Sequence, residues 1–163
     1  MNAYRSPQAD LRFVIHEVLA AADTLAALPA HAQTGADLID AVLEESARFC
    51  DQVIAPLYQG GDAGCTFRDG EVSAPAGFRE AFRAFAEGGW SGITAPEGEG
   101  GQGLPYVLDG AFKEMINGAN VAWGTFPLLG HGAIESLRHY GEDWQKAAFL
   151  QPLVEGRWTG TMC

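Results

Sequence analysis

Basic charge is scarce in this sequence. Ten Lys and Arg residues stand against 21 Asp and Glu over 163 residues, a formal net charge of −11. A surface that acidic repels nucleic acid and anionic membrane, so composition excludes both as expected partners. The few bases are scattered and form no patch for a polyanion. Cysteine is almost as rare, with Cys50, Cys65 and Cys163 as its only members. An odd count without metal-ligand spacing implies neither a disulfide framework nor a zinc site. Long apolar runs are missing too: no window reaches the ~18 residues that a membrane-spanning helix needs. The opening stretch MNAYRSPQAD has no apolar core of a secretory signal. These absences lead to the expectation of a cytoplasmic protein without membrane insertion.

Signatures of self-contained catalysis are also absent. There is no H-E-x-x-H, no G-x-S-x-G and no Ser/His/Asp pattern. His16, His31, His131 and His139 do not pair at ligand spacing, and His131 and His139 are too far apart to hold one metal without a third ligand. No metal is therefore expected. Glu44-Glu45 reads as a solvated helix patch, and Cys50, on an apolar stripe, as a small buried hydrophobe.

What the chain does have is hydrophobic periodicity. It is 47% hydrophobic, enough for one sizeable core. Apolar residues recur at helical spacing from Asp10 to Ala27, with Asp10 as cap, and again from Ala36 to Ile54, where Pro56 predicts an end at Ala55. Residues 59–75 read as a loop with turns at Gly60-Gly61 and Asp69-Gly70. Further helices are predicted from Ala76 to Glu87, from Pro105 to Asn117, and from Glu142 to Val154. Residues 118–130 read as a turn followed by a new helix that continues to Gly141. No strand is expected before Trp158, where RWTGTMC resembles the start of one. The fold class is all-α, an array of about six helices over residues 1–156. Residues 157–163 want a sheet to join, which suggests a piece of a longer protein.

Residues 95–105, APEGEGGQGLP, pose a sharper question. Gly98, Gly100 and Gly103 fit the G-x-G-x-x-G spacing of dinucleotide folds. That fingerprint needs a buried strand before it and a helix starting inside it. Here the preceding residues are short and broken, Glu97 and Glu99 carry the wrong sign, and Pro105 opens the next helix outside the motif. The stretch reads as a tight loop whose glycines supply positive φ.

Several segments, in order along the chain, resemble the acyl-CoA dehydrogenase family. FREAFRAFAEGGWSGITAPEGEGGQGLP (78–105) resembles its glycine-rich segment, and QKAAFLQPLVEGRWTGTMC (145–163) the approach to its flavin-contacting strand. IAPLYQGGDAGCTFRDGEV (54–72), with Tyr4-Arg5-Ser6-Pro7, Asp10 and Phe13, resembles the subgroup of long-chain-type and 3-methylmercaptopropionyl-CoA dehydrogenases.

The resemblance implies the N-terminal helical domain of an FAD-dependent enzyme that introduces an α,β double bond into an acyl-CoA. A glutamate in the C-terminal part of such enzymes removes the α-proton, and the β-hydride passes to the flavin. No catalytic residue of that kind is expected in this chain, so the chain by itself should be inactive. Residues 157–163 would open the middle β domain, with Met162 and Cys163 as the candidate flavin contacts. Within ANVAWGTFPLLGHG (119–132), Phe126, Leu128, Leu129 and Gly130 are candidates to line the acyl-chain cavity, although core packing would use the same residue types. The family also implies an electron-transfer flavoprotein as partner and a homo-oligomer. Alternatives are a free-standing helical binding or scaffold module without catalysis, and a dehydratase-like or nitroalkane-oxidase-like relative of the same fold.

Overall fold

A computed structural model describes residues 4–161. Helix α1 (residues 8–18) widens into a π-type turn over Phe13–Val18 and breaks before α2 (Ala21–Ala26). The single helix expected from Asp10 to Ala27 is therefore two. Ala20 takes a left-handed conformation (φ 44°) between them, an uncommon state for a residue with a Cβ. Asp10 makes no capping bond; Pro7 stands at the cap position and Asp10 lies in the first turn. The preceding residues are pinned: Tyr4 Oη donates to the Met115 carbonyl at 3.0 Å, and Ser6 donates through N and Oγ to Asp51 Oδ1, both at 2.8 Å.

Helix α3 spans residues 36–54, again with a wide final turn. The chain does not leave helical geometry for long at Pro56. A single 3₁₀ turn, Ala55–Leu57, absorbs the missing N–H and leads into α4 (Tyr58–Ala63). The turn expected at Gly60-Gly61 is thus helical. Gly61 is buried, and a Cβ there would stand 2.9 Å from Asn120 Oδ1 and 3.0 Å from the Phe78 ring. Close approach, not turn geometry, is what asks for glycine. The Asp69-Gly70 turn is as expected, with both φ positive (54° and 86°), the geometry of a tight hairpin. It joins two strands that the sequence did not foretell: β1 (Thr66–Arg68) and β2 (Glu71–Ser73), antiparallel with Phe67 opposite Val72. Every residue of this hairpin is exposed, so it carries no burial pattern to read.

Helix α5 (Phe78–Glu87) ends at the Gly88-Gly89 stop. Helix α6 (Tyr106–Tyr140) spans both of the helices predicted there. The expected turn shrinks to one residue, Asn120 (φ −165°, ψ 90°), which divides α6 into a first limb (106–119) and a second limb (121–140). Helix α7 (143–154) starts with a capping box between Glu142 and Gln145. Residues 155–161 form a strap; no strand pairing occurs in it among the described residues.

Two cores result. The larger joins α1, α2, α3, α5, the first limb and the start of the second around Ile39, Leu43, Phe49, Phe85, Phe112 and Trp123. Phe49 sits at its centre, with Phe85, Trp90, Phe112 and Trp123 rings 6.0–6.4 Å away, the spacing of favourable aromatic pairs. Cys50 lies inside it, fully buried, as expected; burial raises its thiol pKa far above the ordinary value. The smaller core joins the second limb to α7 through Ala95, Ile134, Leu150, Leu153 and Val154.

Asn120 holds the break. It is 1% exposed, and its Oδ1 accepts the Trp123 N–H at 3.2 Å, capping the second limb. Its Nδ2 has no partner among the described residues. Asn120→Ala should cost about 1–2 kcal/mol, the usual range for a lost cap. Asn120→Ser keeps a capping acceptor and replaces the two-donor amide by one rotatable hydroxyl, so it should cost less than Asn120→Ala. Urea midpoints at unchanged m check both.

Candidate functional site

The seam between the two cores opens as a cleft of about 50 Å³. Its walls are the two limbs of α6. The first limb contributes Asp109, Lys113 and Asn117, a polar stripe at i, i+4 and i+8, with Phe112 and Ile116 beside it. The second contributes Gly124, Pro127, Leu128, Gly130, His131 and Ile134. Pro127 cannot donate to the carbonyl one turn back, a loss that falls at the cleft wall. Trp90, Leu153, Trp158 and Thr159 close the far side. A second hollow of about 260 Å³ runs along the outer face of the second limb, lined by Leu128, Leu129, Gly132, Ala133, Ser136 and Thr161.

The strap ties these spaces together. A Cβ on Gly160 would lie 2.6 Å from Ala133 Cβ and 3.1 Å from the Leu129 carbonyl, so residues 159–161 run directly on the second limb. Its start is fixed by the Trp158 N–H donating to the Pro152 carbonyl at 3.0 Å. Of the candidate chain-lining residues, Leu128 and Gly130 face the cleft, and Leu128 and Leu129 face the outer groove. Phe126 lines neither. It is 49% exposed and stands edge-on to Phe82 with centroids 5.0 Å apart. Met162 and Cys163 lie outside the described residues.

The charges of the cleft are locally balanced. Lys113 Nζ donates to Asp109 Oδ2 at 2.6 Å, and the Asp109 side chain is only 8% exposed against 30% for Lys113. Further along, Arg138 donates through Nε to Glu99 at 2.7 Å and through Nη1 to Glu135 at 2.9 Å. Burial pushes Glu135 up, but hydrogen bonds with Tyr106 and Arg138 outweigh it and hold the carboxyl below its ordinary value. His131 lies between the limbs, with the Tyr106 ring 6.0 Å away. Burial first, and the positive charge of Lys113 second, hold His131 below the ordinary histidine value against the pull of Asp109 and Glu135.

The glycine loop is spent on itself. The N–H groups of Gly101, Gln102, Gly103 and Leu104 donate to the carbonyls of Pro96, Gly92, Ala95 and Ile93 at 2.8–3.0 Å. A Cβ on Gly101 would stand 2.1 Å from the Ala95 carbonyl oxygen, which explains the glycine by contact. Gly100 and Gly103 have positive φ, as the loop reading required, and Gly98 does not. With these four amides paired internally, the loop presents no cradle for phosphate.

The histidines do not converge. His16 bonds Asp40 at 3.1 Å, and exposed His139 stands 3.4 Å from Glu135. Among the described residues no group of three or more ligating side chains could hold a metal, and no helix is long and apolar enough to cross a membrane. The polar stripe Asp109, Lys113 and Asn117 escaped the sequence reading. Its i, i+4, i+8 spacing on an otherwise apolar helix was the available signal.

These features define a class: an all-α domain with a narrow cleft between two helical limbs, largely apolar, whose polar lining centres on the Asp109–Lys113 pair, Asn117 and His131. Comparison with known proteins then gives the family. The model of the acyl-CoA dehydrogenase N-terminal domain matches residues 37–157, and the chain belongs to that family. It is 40% identical to the 3-methylmercaptopropionyl-CoA dehydrogenase of Ruegeria pomeroyi, over 98% of this chain and 27% of that protein. It is 29% identical to the butyryl-CoA dehydrogenase of Syntrophomonas wolfei, over 94% of this chain and 26% of that protein. It is 28% identical to the broad-specificity linear acyl-CoA dehydrogenase FadE5 of Mycobacterium tuberculosis, over 99% of this chain and 26% of that protein. The chain thus spans about a quarter of the length of the curated relatives it matches.

The depressed pKa of His131 has a consequence for stability. The unfolded chain takes up this proton at a higher pH than the folded one, so the group costs stability as pH falls through the ordinary histidine range. Wild type should therefore lose more stability between pH 7 and pH 5 than His131→Gln does. Urea titrations of both at the two pH values check this.

Proposed function

We propose that this chain is the N-terminal domain of an FAD-dependent acyl-CoA dehydrogenase, and that it forms one wall of the acyl-chain site. The observation that carries the reading is the strap. It lays residues 159–161 along the second limb of α6 beside Leu129, Gly130 and Ala133. The residues proposed to begin the middle β domain thus start at the apolar grooves. On this reading the acyl chain lies against Leu128, Leu129 and Gly130, with its tail toward the seam, and Phe126 guards the exposed edge.

The domain's own residues supply shape and dryness. The aromatic side of the cleft excludes water, and the limbs fix its width. The described residues do not fit a flavin by themselves: the glycine loop offers no free cradle, and the ten bases form no phosphate-binding cluster. FAD belongs to the full-length protein, with Met162 and Cys163 as the proposed contacts from this chain. No catalytic step is assigned to the residues described. The proton-abstracting carboxylate is proposed to lie outside this chain, which would be inactive alone. Transfer of electrons to an electron-transfer flavoprotein, assembly into a homo-oligomer and a cytoplasmic location complete the proposal.

The test is the full-length gene product expressed with FAD and assayed against a panel of acyl-CoA esters with an artificial electron acceptor. It should be yellow, and at least one ester should bleach the flavin absorbance. A colourless protein that no ester reduces would overturn the reading. In the same protein, Leu129→Trp should fill the outer groove. It should lower kcat/KM for long-chain esters by about tenfold or more while sparing short ones, on the scale of apolar pocket contacts.

A further inference from the structure

We infer that the Asp109–Lys113 pair is a specificity element, selecting acyl chains that carry a neutral oxygen acceptor near their tail over plain alkyl chains. The inference rests on the cleft being the site of the acyl tail, as proposed above. Lys113 is the only lysine or arginine lining the cleft among the described residues. One of its three N–H donors is committed to Asp109, at 2.6 Å, which leaves two for the cleft. The side chain is 30% exposed, so in the open cleft those donors reach water. An alkyl tail that filled the cleft would strip that water and return nothing. A tail with an ether, hydroxyl or carbonyl oxygen would replace it.

Charge decides against a carboxylate tail. Asp109, buried against Lys113, already cancels its charge. The next pairs along the groove add Glu99 and Glu135 against Arg138. A second carboxylate would enter a neighbourhood that is neutral to negative, with desolvation to overcome as well. Space sets the length of the selected part. At the roughly 10–15 Å³ that one water needs, a 50 Å³ cleft takes about four water-sized atoms. The element therefore reads only the end of the chain.

The experiment compares three esters in the full-length flavoprotein: 4-methoxybutyryl-CoA, its all-carbon isostere hexanoyl-CoA, and adipyl-CoA with a terminal carboxylate. Wild type should favour the methoxy ester over hexanoyl-CoA by about tenfold or more in kcat/KM, the lower end expected of one hydrogen bond to a charged group. Lys113→Met should abolish that preference. Because it strands a buried carboxylate, the double variant Asp109→Leu/Lys113→Met is made alongside, removing both charges at once. It should fold with wild-type flavin content and show the same loss. Equal use of the methoxy and hexanoyl esters by wild type overturns the inference, as does a ratio unchanged in the double variant or a preference for adipyl-CoA. In each of those cases the enzyme still reduces its flavin with an ester, so the proposed function stands. Failure of every ester in a wider panel would overturn the function itself.

Discussion

One buried amide sets the geometry of the domain. Asn120 interrupts what would otherwise be a single 35-residue helix, and its side chain caps the second limb inside the core. A cap on the surface would be assisted by water. Here the acceptor is supplied from inside the core, by Asn120 Oδ1 to the Trp123 N–H, so the side chain at the break also stabilises the limb that follows it. Gly61 follows from it, since α4 must approach Asn120 within van der Waals contact. Trp123 is held as well, its Nε1–H donating to the Phe78 carbonyl at 3.2 Å. Three elements are thus registered on two neighbouring side chains: α4 and the second limb on Asn120, and the start of α5 on Trp123.

The two cores follow from the same break. A straight α6 would offer one continuous apolar stripe and one core. Divided at Asn120, it sends its first limb, with Trp123 at the start of the second, into the aromatic cluster around Phe49, and the rest of the second toward Leu153 and Val154 on α7. The cleft is what remains where the two packings meet. That origin accounts for its mixed lining. Phe112 and Ile116 belong to the first core, Ile134 and Leu153 to the second, and the polar stripe of the first limb fills the seam that neither core covers. A buried ion pair is a weak source of stability, and its place at a seam is where its desolvation cost is smallest.

Much of the helical frame was legible in the sequence because burial imposes the helical period. The stripes of α3, α5, the first limb and α7 are each written in apolar spacing, and the stop at Gly88-Gly89 and the turn at Asp69-Gly70 in local backbone chemistry. What escaped had no such signal. The hairpin buries nothing, so Phe67 and Val72 leave no alternation to read. Gly60-Gly61 reads as a turn because local propensity cannot anticipate a helix that needs glycine for contact with a residue about sixty positions away. Pro56 reads as a stop because a 3₁₀ turn that spares its missing N–H is a tertiary solution. In the candidate site, the small apolar residues of the second limb were found by composition. Asp109 and Lys113 were not, since an i, i+4 pair of opposite charge on a helix is ordinarily a surface pair, and only packing buries this one.

The glycine loop shows the same limit from the other side. Its spacing matches a phosphate-binding fingerprint, yet the fingerprint works only when backbone N–H groups are left free to face the ligand. In this loop those groups are paired with residues 92–96, and the close approach of Gly101 to Ala95 holds the pairing in place. The loop therefore acts as a rigid bridge between α5 and α6, and Glu99 carries its anchor to Arg138 on the second limb. A domain that commits its amides inward and carries a net charge of −11 is poorly suited to hold a pyrophosphate. It is well suited to be a preformed apolar wall.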